Sequence, residues 1–340
     1  MNQVVHGGRL DDAVAQFGGA KDKWLDLSTG INPNSWKVPE LSNDIWARLP
    51  DDALYAACDA AARTAYGVSD QAHISIASGS QMHIQTVPYL FKPQAVAIVG
   101  FTYQEHGICW KRAGHEVYVT DGLSSAETTA RIVIVVNPNN PDGRIFDRED
   151  LISLARRLAA KGGLLVVDEA FADVAPRASV ADQAGRDGLL VLRSLGKFYG
   201  LGGVRLGFAL STEPVVQKID ERLGPWAVSG PALAVGAAAL ADAKWSKRAL
   251  VKLSAIRETM EELLAKNDFE IVGGTGLFVL ARRKDCSALV KFLASKQILV
   301  RAYPGKPEWL RFGMPPGKGG VTRLQKALDA FKAKSEAKAV

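Results

Sequence analysis

The sequence predicts an α/β protein with a large, mostly parallel sheet sandwiched by helices, together with a smaller α+β domain. Short β-rich runs alternate with helical patterns along much of the chain, which is the order that a parallel sheet requires. Several runs are continuously apolar, as strands covered on both faces should be. At 340 residues, the chain exceeds the usual size of a single core, so a second domain is expected.

Six runs are the predicted strands of the large sheet. They are His73 to Ala77, Ala95 to Gly100, Glu116 to Thr120, Ile132 to Val136, Leu164 to Asp168 and Leu189 to Leu192. After residue 231 the sequence becomes rich in Ala, Leu, Lys and Glu, which predicts one long connecting helix that ends near Asn267.

The small domain is predicted from the elements that follow. They are the strands Leu277 to Ala281, Ile298 to Arg301 and Trp309 to Gly313, a helix near Cys286 to Lys296 and a terminal helix from about Gly319. We therefore expect an N-terminal arm at residues 1–40, a large domain at residues 41–225, and the connecting helix with the small domain at residues 226–340.

Composition indicates an ordinary globular protein, with a hydrophobic fraction of 47% and a formal charge of +6. Part of the positive charge lies in the run from Lys326 to Lys338, and no basic stripe alternates with aromatics, so no nucleic-acid partner is expected. No apolar run is long enough to span a bilayer, and no membrane partner is expected. The three cysteines lie far apart without metal-ligand spacing, which predicts no metal site, and their odd number argues against a disulfide framework, so a reducing cytoplasm is expected.

One lysine is set among residue types that bind phosphate. Ser194-Leu195-Gly196-Lys197 follows a predicted strand, and a glycine-rich run that contains Arg205 comes next. Lys197 can hold an aldehyde as a Schiff base, while Ser194, Arg205 and nearby backbone N–H groups can hold a phosphate. This combination is what an enzyme that uses pyridoxal 5′-phosphate requires.

Two further segments follow strand ends, where α/β sheets bind their ligands. Gly79, Ser80 and Gln81 open a predicted helix whose free N–H groups would face an anion, although such a segment alone is equally an ordinary strand-to-helix turn. Asp168 ends a buried strand, where a carboxylate needs a cation such as the protonated pyridine nitrogen of the cofactor. The alternative for Asp168 is a cap on the next element.

The run Asn137 to Gly143 and Tyr103 are less specific signals. The run is a turn by composition, but a side-chain amide at the end of a strand could donate to the 3-hydroxyl oxygen of the cofactor. Tyr103 could stack on the cofactor ring, although a lone aromatic residue more often belongs to the core.

In this order and spacing, the segments resemble the class I and II aminotransferase superfamily, whose members have fold type I of the pyridoxal-phosphate enzymes. The resemblance covers nearly the whole chain. It implies Lys197 as the Schiff-base lysine, Asp168 on the pyridine nitrogen, Tyr103 stacked on the ring and Asn140 on the 3-hydroxyl oxygen. Around the phosphate it implies Gly79, Ser80, Gln81, Ser194 and Arg205. It also implies a homodimer with active sites at the subunit interface.

Within the superfamily, the chain is similar to two groups of enzymes that act on phosphorylated amines, the histidinol-phosphate aminotransferases and the threonine-phosphate decarboxylases. Asp142, where aminotransferases usually have Thr, and Phe171, where many have Tyr, both favour the decarboxylases. So do the runs His6 to Gly8, Asp26 to Pro33, Pro225 to Ala232 and Gly273 to Phe278. Leu49 replaces a tyrosine that usually reaches the partner subunit, and Tyr55 is only a weak substitute for it.

The resemblance to the decarboxylases implies conversion of L-threonine O-3-phosphate to (R)-1-amino-2-propanol O-2-phosphate and carbon dioxide in cobalamin biosynthesis. The substrate-binding residues that it implies are His6, Gly30, Asn32, Arg301 and Arg311. Both arginines suit anions, and the sequence leaves open which of them binds phosphate and which carboxylate. The alternatives are an aminotransferase acting on histidinol phosphate or a related amino acid, and a non-catalytic regulator that binds the cofactor.

Overall fold

The computed structural model describes residues 6–336, which form two compact units. The larger unit comprises residues 35–140 and 144–247, and the smaller unit comprises residues 6–34, 141–143 and 248–336. None of the helices within residues 6–336 is both long enough and apolar enough to cross a membrane.

The strands and helices alternate along much of the chain. The strands are β1 (Leu25–Leu27), β2 (His73–Ala77), β3 (Ala95–Val99), β4 (Glu116–Thr120), β5 (Ile132–Val136), β6 (Leu164–Asp168), β7 (Leu189–Ser194), β8 (Gly207–Ser211), β9 (Glu270–Thr275), β10 (Phe278–Arg282), β11 (Ile298–Tyr303) and β12 (Lys306–Gly313). The α-helices are α1 (Leu10–Phe17), α2 (Asn43–Ala47), α3 (Asp52–Tyr66), α4 (Ser80–Thr86), α5 (Gln104–Arg112), α6 (Leu123–Thr129), α7 (Arg148–Ala159), α8 (Glu213–Leu223), α9 (Gly230–Ala241), α10 (Ala243–Lys266), α11 (Cys286–Ser295) and α12 (Gly317–Glu336).

The larger unit is built on a seven-stranded sheet with the order β2-β8-β7-β6-β5-β3-β4. Strands β4, β3, β5, β6 and β7 are parallel to one another, and β8 pairs antiparallel with both β7 and β2. All five residues of β5 and of β6 are buried, which explains their continuously apolar sequences. The predicted fold class, a mostly parallel sheet flanked by helices, is confirmed.

The smaller unit contains a five-stranded sheet with the order β1-β11-β12-β10-β9. Strand β1 is parallel to β11, and the remaining pairs are antiparallel. Helices α11 and α1 pack together in this unit through a small cluster of Ala13, Trp24 and Ala294. The predicted small α+β domain has this sheet as its core.

The prediction of one long helix ending near Asn267 is wrong, because the chain forms two helices that are separated at Asp242. The Asp242 carboxylate accepts a hydrogen bond from the backbone N–H of Trp245 at 2.9 Å, and its other oxygen accepts from the Trp36 indole at 3.2 Å. A carboxylate that accepts from the first turn of α10 caps that helix, so a new helix begins after Asp242.

Strand β9 was not predicted because two of its residues, Gly273 and Gly274, are typical of turns. The backbone of Asp142 and Gly143 lies close to these glycines. A β-carbon on Gly273 would collide with the carbonyl oxygen of Asp142. Glycine in a strand often marks such a close approach of another backbone segment.

Candidate active site

Four of the predicted cofactor residues lie at or after the carboxyl ends of three adjacent parallel strands, β5, β6 and β7. Val136, the last residue of β5, lies opposite Asp168 at the end of β6, and Asp168 lies opposite Leu192 of β7. The chain then continues into the run that contains Asn140, and from β7 into Ser194 and Lys197. Open α/β sheets bind ligands at this edge.

Asp168 is a buried carboxylate with two partners. Its Oδ2 lies 2.8 Å from Nε2 of His106, and its Oδ1 accepts a hydrogen bond from the backbone N–H of Ala170 at 3.0 Å. His106 is also buried, with 1% of its side chain exposed. An ionised carboxylate only accepts hydrogen bonds, so His106 donates from Nε2 and leaves Oδ2 further acceptor capacity.

Lys197 lies in the turn after β7 and is half-buried. Its ammonium nitrogen lies 5.7 Å from the centre of the Phe171 ring, which is almost completely buried. The aromatic ring gives the amine an apolar wall and a favourable cation–π contact.

The predicted phosphate-binding residues meet where β2 ends and α4 begins. A β-carbon on Gly79 would lie 2.5 Å from Nη2 of Arg205, so only glycine lets the guanidinium approach this closely. Gly79 also adopts φ 85°, a conformation that glycine reaches without steric cost. Ser194 pairs with Gly207 in the sheet, and a β-carbon on Gly207 would collide with the backbone nitrogen of Ser80.

The Tyr103 hydroxyl donates a hydrogen bond to Oε1 of Gln81 at 3.1 Å. The ring of Tyr103 also meets the His106 ring edge-on, with 6.2 Å between centres. Burial raises the pKa of Tyr103 well above its ordinary value, and the nearby carboxylates of Glu105 and Asp168 raise the pKa further. Tyr103 therefore keeps its proton and acts as a donor.

Asn137 and Asn139 are committed to the fold. Asn137 accepts from the backbone N–H of Phe146 and donates to the carbonyl of Ala178, at 2.9 and 3.2 Å. Asn139 accepts from the Thr102 hydroxyl at 2.6 Å, and both asparagines have no exposed surface. Asn140 is half-buried, so it is the asparagine of this run that a ligand can reach.

The predicted substrate residues all belong to the smaller unit. Arg301 of β11 and Arg311 of β12 are directly opposite each other in an antiparallel pair. Like charges in this arrangement repel, which favours an anion between them. Burial lowers the pKa of Arg311, and the nearby Arg301 lowers the pKa further.

The N-terminal segment lies against the same strands. Gly8 donates its backbone N–H to the Ser28 hydroxyl at 2.7 Å, and the Ser28 carbonyl accepts from Arg311 at 2.8 Å. His6 and Arg301 line one cavity of about 630 Å³. Gly30 and Asn32 are buried, and the Asn32 side chain accepts from the backbone N–H of Asn34 at 2.9 Å.

Sequence reasoning did not find His106, the partner of Asp168. The signal was present, because His106 follows Tyr103 by three residues at the start of α5 and so lies on the same helical face. Sequence reasoning also named Tyr55 as a weak candidate for contact with a partner subunit. Its hydroxyl accepts the backbone N–H of Val228 in the same chain, at 3.2 Å, and its contact with a partner subunit stays a prediction.

Comparison with known proteins identifies the class of protein that has this fold and site. Residues 25–330 match the family described as aminotransferase class I and II. The chain belongs to this family, as the resemblance predicted.

Among individual proteins, the chain is similar to threonine-phosphate decarboxylases. The chain is 40% identical to a curated threonine-phosphate decarboxylase from Pseudomonas aeruginosa, over 97% of this chain and 98% of that protein. It is also 40% identical to one from Sinorhizobium sp, over 96% and 97%. A crystal structure of histidinol-phosphate aminotransferase from Sinorhizobium meliloti in complex with pyridoxal-5′-phosphate has a TM-score of 0.80, 22% identity, and coverage of 98% of this chain and 96% of that one.

Proposed function

We propose that this protein decarboxylates L-threonine O-3-phosphate to (R)-1-amino-2-propanol O-2-phosphate and carbon dioxide, with pyridoxal 5′-phosphate as its cofactor. The observation that supports the cofactor is the set of strand-end residues comprising a buried carboxylate, Asp168, a half-buried amine, Lys197, and a glycine–arginine pair, Gly79 and Arg205. The substrate is supported by 40% identity to two proteins that are named threonine-phosphate decarboxylase.

The residues of the larger unit fit this cofactor. Arg205 and the segment Gly79 to Gln81 would hold the phosphate, because a planar guanidinium and free backbone N–H groups bind phosphate oxygens. Lys197 would bind the aldehyde carbon, and Tyr103 would lie against the ring. When bound, pyridoxal 5′-phosphate supplies an electron sink for the bond that breaks at the α-carbon of the substrate.

Asp168 would hold a proton at the pyridine nitrogen. The His106 N–H and the Ala170 N–H fix both of its oxygens, so the carboxylate is oriented before the ligand arrives. A carboxylate oxygen has more than one acceptor position, so Asp168 would also accept a hydrogen bond from a protonated ring nitrogen. Lys197 would move a proton from Nζ to the α-carbon after carbon dioxide leaves.

Arg301 and Arg311 would bind the phosphate of the substrate. The buried Arg311 lies 4.9 Å from the centre of the Phe278 ring and donates to the Ser28 carbonyl, so its position is fixed. We assign the phosphate to this pair, since a carboxylate held tightly in the plane of the cofactor would not leave.

The choice of a decarboxylase over an aminotransferase has local support. Phe171 carries no hydroxyl, and its ring packs beside the Lys197 amine. The aminotransferase reaction on histidinol phosphate or a related amino acid remains the alternative, and the relatives include histidinol-phosphate aminotransferases at 31% identity or less.

We further infer that the protein is a homodimer and that it works in a reducing cytoplasm. We also infer that its product enters cobalamin biosynthesis. Trp46, Leu49 and Trp226 of the larger unit are 67%, 65% and 57% exposed, and large exposed apolar side chains favour an interface. The cysteines Cys58, Cys109 and Cys286 are all free and buried. Light scattering on the purified protein measures its mass in solution and so tests for the dimer. The variant Trp226→Glu should shift the equilibrium toward the monomer.

A paired product assay tests the proposed reaction. Purified protein is given L-threonine O-3-phosphate with and without 2-oxoglutarate, and carbon dioxide and glutamate are followed together. Carbon dioxide released at equal rates in both samples is the expected result. Glutamate formed from histidinol phosphate, with no carbon dioxide from threonine phosphate, would replace the decarboxylase with the alternative.

A further inference from the structure

The Gln81 side chain joins the start of α4 to the start of α5. Its Oε1 lies 3.1 Å from the Tyr103 hydroxyl, and its Nε2 lies 3.3 Å from Oε2 of Glu105. Tyr103 immediately precedes α5 and Glu105 lies in its first turn. One amide therefore links the predicted phosphate-binding segment to the aromatic ring predicted to lie against the cofactor.

Chemistry fixes the direction of these two hydrogen bonds. A carboxylate accepts hydrogen bonds and does not donate them, so the Gln81 NH₂ group donates to Glu105. The amide oxygen then faces Tyr103, which must donate its O–H. Burial and the two neighbouring carboxylates keep the Tyr103 pKa high, and the hydroxyl is therefore protonated and able to donate.

The same geometry decides what Gln81 can offer a phosphate. Its side-chain oxygen and nitrogen are both engaged with α5. Its backbone N–H lies in the first turn of α4, where helices leave N–H groups without partners inside the helix. The side chain of Gln81 thus commits its oxygen and one of its two N–H groups to α5, and its main-chain N–H is available to an anion.

We propose that Gln81 is a positioning residue, whose side chain holds the Tyr103 ring against the cofactor through the Tyr103–Gln81–Glu105 chain. This proposal rests on the proposed function, because it assumes that Tyr103 lies against pyridoxal 5′-phosphate. Without Gln81, the Tyr103 hydroxyl would lose its bond to α4, while the ring would keep its edge-on contact with His106.

An exchange of the two chemical groups gives the sharpest test. Gln81→Glu places two carboxylates side by side and should weaken binding of pyridoxal 5′-phosphate. In the double variant Gln81→Glu/Glu105→Gln, the carboxylate at position 81 accepts from both Tyr103 and the new amide, so binding should recover. Glu105→Gln alone keeps an acceptor for the Gln81 amide and is the matched control, which should bind like the native protein.

The apolar variant Gln81→Met and the variant Tyr103→Phe each remove the bond between the two side chains. We expect each to raise the dissociation constant of pyridoxal 5′-phosphate by about three- to tenfold, the range that one net hydrogen bond supplies. The double variant should have a dissociation constant no higher than that of the single variant that binds the cofactor more weakly. The circular dichroism band of the bound cofactor should decrease in both, since that band reports the asymmetry of the ring environment.

Additive losses in the double variant Gln81→Met/Tyr103→Phe, or no recovery in the exchanged pair, would overturn the proposal. Unfolding midpoints of the apoproteins provide a readout that does not depend on the cofactor, and there too the losses should be non-additive. If native protein bound no pyridoxal 5′-phosphate while these midpoints remained coupled, the proposed function would fail and the hydrogen-bonded chain would stand.

Discussion

Asp168 and Glu169 are consecutive buried carboxylates at the end of β6, and their surroundings differ. Glu169 receives the Arg193 guanidinium at 2.8 Å, the Ser179 hydroxyl at 2.5 Å and the Val180 backbone N–H at 2.6 Å. Asp168 receives one imidazole N–H and one backbone N–H. Asp173 shares Arg193 with Glu169, so three charged side chains form a buried ionic cluster on the Glu169 side.

The difference shows that burial of a charge does not by itself mark a functional group. Burial raises the pKa of Glu169, and Arg193 and the other donors only partly oppose that rise. The donors around Glu169 occupy both of its oxygens and account for the residue structurally. Asp168 has fewer donors and lies among the predicted ligand-binding segments, so we assign function to Asp168 and stability to Glu169.

The largest expected effect is on turnover when Asp168 is neutralised. Asp168→Asn keeps the size of the side chain and removes its charge, so turnover should fall by about 10²- to 10⁴-fold, the range for a group that controls a reacting proton. Carbon dioxide release at saturating substrate measures it. The matched variant Glu169→Gln should lower the unfolding midpoint while the folded fraction keeps most of its activity. Equal activity losses in the two variants would remove the distinction between them.

Removal of Arg193 should affect stability most. Arg193→Met leaves Glu169 and Asp173 buried without a cation, and breaking a buried pair in this way costs about 3–5 kcal/mol. Denaturant unfolding measures the loss. The control is Lys332→Met, whose partner Asp268 is 60% exposed, and an exposed pair is worth about 0–1 kcal/mol. Similar losses in both variants would contradict the structural role given to the cluster.

The bond between His106 and Asp168 should have an intermediate effect. His106→Phe keeps an aromatic ring and deletes the donor, and a hydrogen bond to a charged group is worth about 1.5–3 kcal/mol. Turnover should therefore fall roughly tenfold to a hundredfold, less than in Asp168→Asn. Native turnover in His106→Phe would show that the carboxylate needs no orienting partner.

A second buried histidine gives a smaller, pH-dependent effect. His83 contacts the Ser75 hydroxyl at 3.1 Å, and burial lowers its pKa from 6.5 to about 3. The unfolded chain takes up a proton below pH 6.5 and the folded chain does so only near pH 3. Stability should therefore fall as the pH falls through this window, by about 1.4 kcal/mol per pH unit from this group. Urea unfolding at pH 6 and pH 4 should show a smaller difference in His83→Gln, and an unchanged difference would refute the assignment.

The sequence predicted six of the seven strands of the central sheet and missed β8, which begins at Gly207 in the glycine-rich run. The strands β2, β4, β5 and β6 have the predicted bounds, because short apolar or β-branched runs between turn signals have few alternatives. The separation of α9 from α10 was missed because it depends on Asp242, whose indole partner Trp36 is 206 residues away. Strand β9 was missed because its glycines serve a contact with Asp142 that is distant in sequence.

The residues of the candidate site were predictable from the sequence, but their hydrogen-bond partners were not. Residues such as Gly79 and Lys197 follow strand ends, and topology alone brings those ends to one edge. The partners of these residues were not predictable, since the bonds from His106 to Asp168 and from Tyr103 to Gln81 span 62 and 22 residues. Sequence pattern therefore names the groups, and tertiary structure specifies which of them orient the others.

Chemical trapping of the cofactor tests the central claim most directly. The purified protein is loaded with pyridoxal 5′-phosphate, reduced with borohydride, digested and mapped by mass spectrometry. The proposed function predicts a stable phosphopyridoxyl group on Lys197 and none in Lys197→Ala, which should also lose turnover. Specific labelling of another lysine, with Lys197→Ala still active, would contradict the assignment of this strand-end cluster as the active site.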